Sequence, residues 1–283
     1  MTRGHDEGLA GAAQPGPLAA MTYDERVSSA YDAAQRDEPA ATFAMWMDRF
    51  VHHADKRRPL SVLDLGSGTG KFTAALADAF GGPVVGIEPS PHMRAVAERD
   101  RSHPLVSYSD GSADRIPLHD GSCDLVLMFL VLQHVADRAA AAVEIARVLG
   151  PGGRLLIVNH FRGEPTPRAW AAYFPRAREI EESSLPTVDE AKAMFAPAGV
   201  GFVDLDRRLI SVCPSLRAYL ERIRLRSISS LECLSEDEFT AGLAALEADV
   251  ARETVPRPVE QLADLMVLEK FVDHPPVAEP SPY

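Results

Sequence analysis

The sequence predicts an α/β fold in which helices cover both faces of a doubly wound parallel sheet. Between residues 60 and 160, short apolar segments alternate with segments of helical periodicity. The apolar segments are continuous, as in strands that are buried on both faces of a parallel sheet. A glycine-rich stretch at 66–70 separates the first of them from the helix that follows.

Two helices are predicted ahead of the sheet, at 23–35 and 40–53, and a proline separates them. One face of the second helix is apolar, because large side chains recur there at spacings of three and four: Phe43, Trp46, Met47 and Phe50.

The central part of the chain predicts five strands, at 60–65, 84–88, 105–109, 123–129 and 154–159. Helices are expected between them. Ser90 is in the position of an N-cap, with Pro91 at the first helical position. A helix over 137–149 is expected to stop at Gly150 and Pro151.

After residue 160 the alternation is interrupted. Segment 161–186 is predicted to be irregular or helical. Further helices are expected at 188–197, 215–226 and 235–252, and two more strands at 201–212 and 262–271. The helices that interrupt the pattern are candidates for a lid over the carboxyl edge of the sheet.

These patterns divide the chain into a core with insertions and two tails. The divisions are a tail at 1–20, an N-terminal helical cap at 21–56, the core at 57–160, a lid insertion at 161–187, more core at 188–212, a helical lid at 213–255, the last core strand at 256–272 and a second tail at 273–283.

The composition argues against several function classes. The 283 residues carry a net charge of −12, whereas a nucleic-acid binder usually has a basic surface. The longest apolar run has eight residues, well short of the roughly 20 of a membrane span. The start of the chain, MTRGHDEG, lacks the apolar stretch of a signal peptide. Three widely spaced cysteines fit a reducing compartment, so we expect a cytoplasmic protein with no metal site.

Segment 62–72 (VLDLGSGTGKF) predicts a ligand site. A buried strand leads into glycines 66, 68 and 70 and then into a helix. Glycine lets a ligand approach the backbone, and a helix N-terminus favours an anionic group. Glu88 ends the next strand, where a carboxylate can bind a ribose diol. The unit therefore predicts an adenosine-containing ligand, and the alternative is a tight turn without one.

Four further segments agree in order with a known family: VGIEPS at 85–90 with Met93, GSADRIP at 111–117, DGSCDLV at 120–126 leading to LQHV at 132–135, and LGPGGRL at 149–155. With the glycine loop, they resemble the class I S-adenosylmethionine (SAM)-dependent methyltransferases of the ubiquinone/menaquinone-biosynthesis type. The resemblance is strong over 60–160. It implies a Rossmann-like seven-stranded sheet with helical lid insertions, SAM as cofactor and S-adenosylhomocysteine as product.

The resemblance also implies roles for individual residues. The three glycines admit the methionine part of SAM, and Asp64 is expected to brace the loop and contact that part. Glu88 holds the ribose hydroxyls. Met93 packs on the adenine. The implied cofactor set is Tyr31, Asp64, Gly66, Ser67, Gly68, Gly70, Glu88, Pro89, Met93, Gly111, Ser112, Ala113, Leu130 and Gln133.

Ser112 departs from the family pattern. Many members have an aspartate at this position that reaches the adenine amino group. Serine can still form a hydrogen bond, and Asp110 or the backbone of Ala113 is the alternative partner.

Two histidines are candidate catalytic residues. His134 follows the fourth predicted strand and His160 ends the fifth, at the edge where open α/β sheets bind ligands. Methyl transfer needs alignment and exclusion of water, and a general base helps when the acceptor carries a proton. The alternative for each histidine is a hydrogen-bonded structural role.

Two residues are candidate substrate contacts. Trp46 either lines the acceptor site or packs in the core. Arg226 is expected to border the inner face of its helix, with Arg222 pointing outward. An arginine at the rim of a lid holds a carboxylate or phosphate well, which would make the acceptor anionic. The alternative for this arginine cluster is a solvated helix side with Glu221.

The function that the sequence favours is methyl transfer from SAM to a small-molecule acceptor in biosynthesis or tailoring. A cyclase-like enzyme or a SAM-binding regulator on the same scaffold is the alternative. A nicotinamide-dependent dehydrogenase is disfavoured, because the loop reads G-x-G-x-G and not G-x-G-x-x-G.

Overall fold

A computed structural model describes residues 16–36, 38–54, 57–164 and 168–271. Residues 1–15 and 273–283 of the predicted tails, and residue 272 of the predicted last core strand, lie outside it. Residues 16–20 do not form a loose tail: Leu18 is buried, and its carbonyl oxygen lies 3.0 Å from Nδ1 of His134. The buried side chain of Leu18 holds this segment in place, and Leu18 and Ala19 line a cavity at the edge of the sheet.

Seven strands form one sheet: β1 (Val62–Leu65), β2 (Val84–Ile87), β3 (Val106–Ser109), β4 (Cys123–Phe129), β5 (Leu149–Asn159), β6 (Val200–Cys213) and β7 (Val259–Lys270). Their order is β3-β2-β1-β4-β5-β7-β6. The first five strands are parallel, whereas β7 runs antiparallel to both β5 and β6. The predicted doubly wound α/β class is confirmed, with one reversed strand.

Ten α-helices accompany the described strands: α1 (Glu25–Arg36), α2 (Ala40–His53), α3 (Thr73–Phe80), α4 (Pro91–Asp100), α5 (Arg138–Val148), α6 (Pro175–Ser184), α7 (Val188–Phe195), α8 (Leu216–Arg224), α9 (Ser229–Glu232) and α10 (Glu236–Arg252). One apolar cluster joins α2, α3, α8 and α10 to one face of the sheet. A second joins α5 and α7 to the other face. No helix in the described ranges is long and apolar enough to cross a membrane.

Local sequence explains several element ends. Ser90 caps α4, because its hydroxyl accepts a hydrogen bond from the Met93 N–H at 3.3 Å. β5 starts five residues before the predicted strand, since Leu149 already pairs with Cys123 of β4. α8 ends at Arg224, two residues before the predicted end, and Arg226 has a left-handed backbone (φ 50°). The one-turn helix α9 was not predicted.

The prediction that Trp46 lines the acceptor site is wrong. The indole is fully buried and packs on Phe50 and Phe129, with ring centroids 6.1 and 5.7 Å away. Trp46 belongs to the core between α2 and the sheet, where its size contributes to stability and not to ligand contact.

We expect Trp46→Ala to lower the free energy of unfolding by about 3–5 kcal/mol, because it opens a large cavity in a packed core. Val51→Ala on the same helix is the control: Val51 is 40% exposed, and the expected loss is below about 0.5 kcal/mol. Chemical denaturation of both variants measures the difference. Equal losses would contradict the core assignment.

Candidate active site

A cavity of about 610 Å³ opens at the carboxyl edge of the sheet, where open α/β sheets bind ligands. Its volume lies in the range of small-molecule sites. The turns after β1, β2 and β4 line one half. The other half lies under the segments that follow β5, with α6 and α8. Cofactor motifs and lid segments thus share one space.

The glycine loop lines the cofactor half through Gly66 and Gly68. Gly68 has a left-handed backbone (φ 56°), and a Cβ on it would come within 3.7 Å of both Met93 and Tyr31. Gly70 does not line the cavity, and its cofactor contact stays a prediction. A Cβ on Gly70 would lie 2.5 Å from Oη of Tyr108, so this glycine lets the loop pack closely on its neighbours.

Glu88 lines the cavity and fixes the loop at the same time. Its Oε2 accepts a hydrogen bond from the Gly68 N–H at 3.0 Å, and its Oε1 accepts one from the Ser90 N–H at 2.9 Å. Burial raises the pKa of Glu88, and the two backbone donors counteract that shift. Each carboxylate oxygen retains a second lone pair, which is what a ribose diol needs.

Asp64 and Ser67 do not line the cavity, and their cofactor contacts stay predictions. Asp64 is buried under the loop, where its Oδ2 accepts a hydrogen bond from the Thr73 hydroxyl at 2.6 Å. Burial raises the pKa of Asp64 to about 6. The bracing role that the resemblance implied agrees with this contact. Ser67 is buried, and its hydroxyl lies beside Gly86.

The adenine side of the cavity contains the predicted Pro89, Met93, Gly111, Ser112 and Ala113. The hydroxyl of Ser112 donates a hydrogen bond to the carboxylate of Asp114 at 2.5 Å, and Asp114 lines the cavity too. The sequence analysis missed Asp114. Asp110 is not in the lining and pairs with Arg94 at 2.7 Å. An acidic group is therefore present two residues after the position where the family usually has it.

The turn after β4 places Leu130 and Gln133 in the cavity wall, as predicted. Leu130 has φ 58°, a strained conformation for a residue other than glycine. Two hydrogen bonds hold it: its N–H donates to the Val158 carbonyl at 2.8 Å, and its carbonyl accepts from Nε2 of Gln133 at 2.7 Å. This strained turn shapes the wall between the two halves of the cavity.

His134 lines the cavity and joins three chain segments. Its Nδ1 lies 3.0 Å from the Leu18 carbonyl oxygen, and its Nε2 lies 3.2 Å from Oη of Tyr23 and 3.3 Å from Oγ of Ser229. A carbonyl only accepts, so Nδ1 carries the proton and Nε2 accepts from a hydroxyl. Burial lowers the pKa of His134. Tyr31, on the neighbouring helix α1, lines the same cavity.

His160, directly after β5, lines the acceptor half. Burial and the charge of Arg168 lower its pKa to about 3, so the ring is neutral at neutral pH. Arg168 and Glu181 form a buried ion pair in the same wall, with 2.7 Å between NH1 and Oε1. The sequence analysis missed this pair, because the spacing of the lid residues does not show which of them face the sheet.

Arg226 does not line the cavity, so its predicted substrate contact is wrong. Its guanidinium binds the Glu236 carboxylate and the Leu234 carbonyl and stacks over Phe239. Arg222, expected to point outward, lines the cavity. α8 ends two residues earlier than predicted, and Arg226 itself has a left-handed backbone. Together these features turn the Arg226 side chain away from the cavity.

The comparisons with known proteins agree with this site. Residues 63–157 match the methyltransferase domain family. A demethylmenaquinone methyltransferase of Thermus thermophilus is 30% identical over 198 residues, which cover 61% of this chain and 89% of that enzyme. Fold and site thus define a SAM-binding α/β protein. The chain belongs to the class I SAM-dependent methyltransferase family, whose cofactor is SAM.

Solved structures share the fold. A putative methyltransferase from an antibiotic biosynthesis pathway of Anabaena variabilis has a TM-score of 0.67 at 22% identity, covering 82% of this chain and 99% of that one. The [4+2]-cyclase SpnF has a TM-score of 0.56 at 20% identity, covering 81% and 80%. Two other curated relatives are matched over only 32% and 58% of their own length.

The residues present fit SAM. Glu88 has free lone pairs facing the cavity for a ribose, and the space in front of Gly68 leaves the backbone open to the methionine part. Met93 and Ala113 offer an apolar surface for an adenine. Within the described ranges, no group of three or more acidic, histidine or cysteine side chains could hold a metal ion.

We expect Glu88→Ala to weaken S-adenosylhomocysteine binding by about 1–3 kcal/mol, because it removes the ribose acceptor and leaves loop N–H groups unpaired. Calorimetric titration measures the dissociation constant. Glu98→Ala is the control, since Glu98 is exposed on α4 and outside the cavity. Equal affinity of a folded Glu88→Ala protein and the control would refute the ribose role.

Proposed function

We propose that the protein transfers the methyl group of SAM to a small-molecule acceptor that carries an anionic group. The observation that carries the proposal is the continuity of the cavity. It runs from the cofactor residues Gly68 and Glu88, past the Leu130 turn, to the lid residues Tyr219 and Arg222. A bound SAM fills the first half and leaves the second for an acceptor.

SAM supplies a methyl group that is bound to a positively charged sulfur, and the acceptor atom displaces that sulfur in line. The chain then has to orient the acceptor and exclude water. The apolar side chains of Phe129, Trp170 and Ile210 line the acceptor half and suit a flat or apolar body. Whether oxygen, nitrogen or carbon receives the methyl group depends on the acceptor.

The cations of the cavity support an anionic acceptor. Lys71 pairs with Glu38 at 2.6 Å, and Arg168 pairs with Glu181. Among the described residues no carboxylate pairs with Arg222, which donates only to the Val212 carbonyl at 3.2 Å. The charge of Arg222 also acts on Lys71, whose pKa is lowered mainly by burial. A carboxylate or phosphate beside Arg222 would give this guanidinium the anionic partner that it lacks among the described residues.

The two histidines receive different parts in this proposal. His134 holds the segment around Leu18 and Tyr23 over the cavity through its ring nitrogens. His160, with its pKa of about 3, is too weak a base to keep a proton at neutral pH and serves as a hydrogen-bond partner. The catalytic roles expected of both residues stay predictions.

The proposal concerns a small acceptor and not a nucleic acid, because the net charge of −12 repels a polyanion. The described part of the chain contains no disulfide bond, and two of its three cysteines are buried, which supports a reducing compartment such as the cytoplasm. The proposal also differs from the cyclase-like alternative. A cyclase would change its substrate without consuming SAM, whereas methyl transfer releases S-adenosylhomocysteine.

The first experiment is an acceptor panel with S-adenosylhomocysteine release as the readout. It pairs phenolic, hydroxy and amino acids, such as 3,4-dihydroxybenzoate, with their neutral methyl esters. The proposal expects release with at least one acid and a higher KM for its ester. Release with neither, from a protein that binds SAM, would contradict methyl transfer to this acceptor class. Equal KM values for an acid and its ester would contradict the proposed anionic group of the acceptor but not methyl transfer itself.

We expect Arg222→Leu to raise the KM of an acidic acceptor about tenfold or more, the scale of a lost charge-assisted hydrogen bond, with unchanged affinity for S-adenosylhomocysteine. Arg224→Leu is the control on the same helix, because Arg224 is exposed and binds Glu221 and Glu247. Identical KM values in the two variants would remove Arg222 from the acceptor site.

A further inference from the structure

Three polar side chains lie in the wall of the acceptor half of the cavity. They are His160 after β5, Arg168 ahead of the turn that contains Trp170, and Glu181 on α6. We call them the acceptor-end cluster. Each is buried to nine-tenths or more. His160 ends segment 60–160, which carries the methyltransferase resemblance, and the lid contributes the other two.

The acceptor-end cluster is incomplete in its hydrogen bonds. Among the described residues, no partner reaches Nδ1 of His160, Nε of Arg168 or Oε2 of Glu181. Buried polar groups in folded proteins nearly always have partners, and leaving one unpaired is unfavourable. A ligand group that both donates and accepts hydrogen bonds, such as a hydroxyl, would satisfy donor and acceptor together.

The surroundings of Glu181 differ from those of the other carboxylates that line the cavity. Glu88 receives two backbone N–H groups, and Glu38 pairs with Lys71. Asp114 is exposed at the rim. Glu181 combines deep burial, one ion-pair partner and one unpartnered oxygen in the acceptor half. It is therefore the carboxylate best placed to receive a proton from a bound acceptor.

We propose that Glu181 is the general base of the reaction, and that the acceptor is a hydroxyl compound whose O–H group binds at the acceptor-end cluster. This inference rests on the proposed methyl transfer and adds to it the class of acceptor atom. Arg168 is a positioning residue, because it holds Glu181 through the ion pair.

The acceptor O–H bond breaks and its proton passes to the Glu181 carboxylate. The acceptor oxygen forms a bond to the methyl carbon while the bond between that carbon and sulfur breaks, and the electron pair stays on sulfur. The products are a methyl ether, S-adenosylhomocysteine and a neutral Glu181, which returns its proton to water.

The acidity of Glu181 suits this role. Burial raises its pKa to about 7, while the charge of Arg168 counteracts the shift. A base is most effective when its pKa lies near the working pH. Glu181 must be ionised to act, so kcat should rise with pH through about 7. His160 is much more acidic when protonated, and burial raises the pKa of Tyr219 well above neutral pH.

Other titratable groups lie on the elements packed around α6. Glu182 on α6 raises the pKa of Glu181. His134 in the turn after β4 and Glu232 on α9, which binds Arg26, lie on such elements. Tyr219 on α8 interacts electrostatically with Glu181. The pH test therefore compares variants of α6 itself.

The test is a pH profile of kcat for wild type, Glu181→Gln and Glu179→Gln, using the hydroxyl acceptor of the panel that wild type converts fastest. Glu179 is exposed on α6 and pairs with Arg176, so its variant should match wild type. We expect Glu181→Gln to lower kcat at least about 100-fold, to lose the rise near pH 7 and to bind S-adenosylhomocysteine normally.

Two measurements cover a Glu181→Gln protein that fails to fold. Arg168→Met should move the rise in kcat to higher pH, because it removes the positive charge that favours the carboxylate. Infrared titration of wild type without ligands should show a protonated carboxyl band that is lost near pH 7, that is also present in Glu179→Gln and that persists to higher pH in Arg168→Met.

The outcomes separate the two proposals. If wild type releases S-adenosylhomocysteine with no panel member, methyl transfer to this class of acceptor is refuted, and the base assignment with it. If wild type is active and Glu181→Gln keeps its rate and pH profile, only the base assignment is refuted. If wild type converts amino acids but no hydroxyl compound, the proposed hydroxyl class of acceptor is refuted.

Discussion

The carboxylate of Glu88 is the interaction on which the site depends. From the end of β2 it binds the backbone of Gly68, in the loop after β1, and of Ser90, at the start of α4. Ser90 then caps α4, and its hydroxyl donates to the Tyr23 carbonyl at 2.8 Å. A buried carboxylate is tolerated only with such partners. One side chain therefore couples the glycine loop, the ribose position and the N-terminal segment.

That coupling continues across the cavity to the lid. The hydroxyl of Tyr23 lies 3.0 Å from that of Ser229 on α9, and both lie beside His134 in the turn after β4. Segments more than a hundred residues apart thus meet over one opening. Because the helices of the lid pack on the same apolar cluster as α2, the cover of the cavity is part of the core and not an appendage.

The sequence predicted the sheet well and the lid poorly, for a physical reason. Continuous apolar segments report burial directly, and β4 matches its predicted range. A motif, however, does not show which residues of a loop face the cavity: Gly66 and Gly68 line it, whereas Ser67 and Gly70 do not. The direction of a lid side chain depends on tertiary packing. α8 ends two residues earlier than predicted, and as a result Arg222 lines the cavity and Arg226 does not, the reverse of the prediction.

The difference between the sheet and the lid also explains why the motifs identify the cofactor but not the acceptor. The family match covers 63–157, and this segment supplies the cofactor half with Gly68 and Glu88. Arg168, Glu181 and Arg222 lie outside it. Among the described residues, Arg222 has no carboxylate partner, and one oxygen of Glu181 has no hydrogen-bond partner. The acceptor chemistry proposed above therefore rests on lid residues, which the match to the family domain does not include.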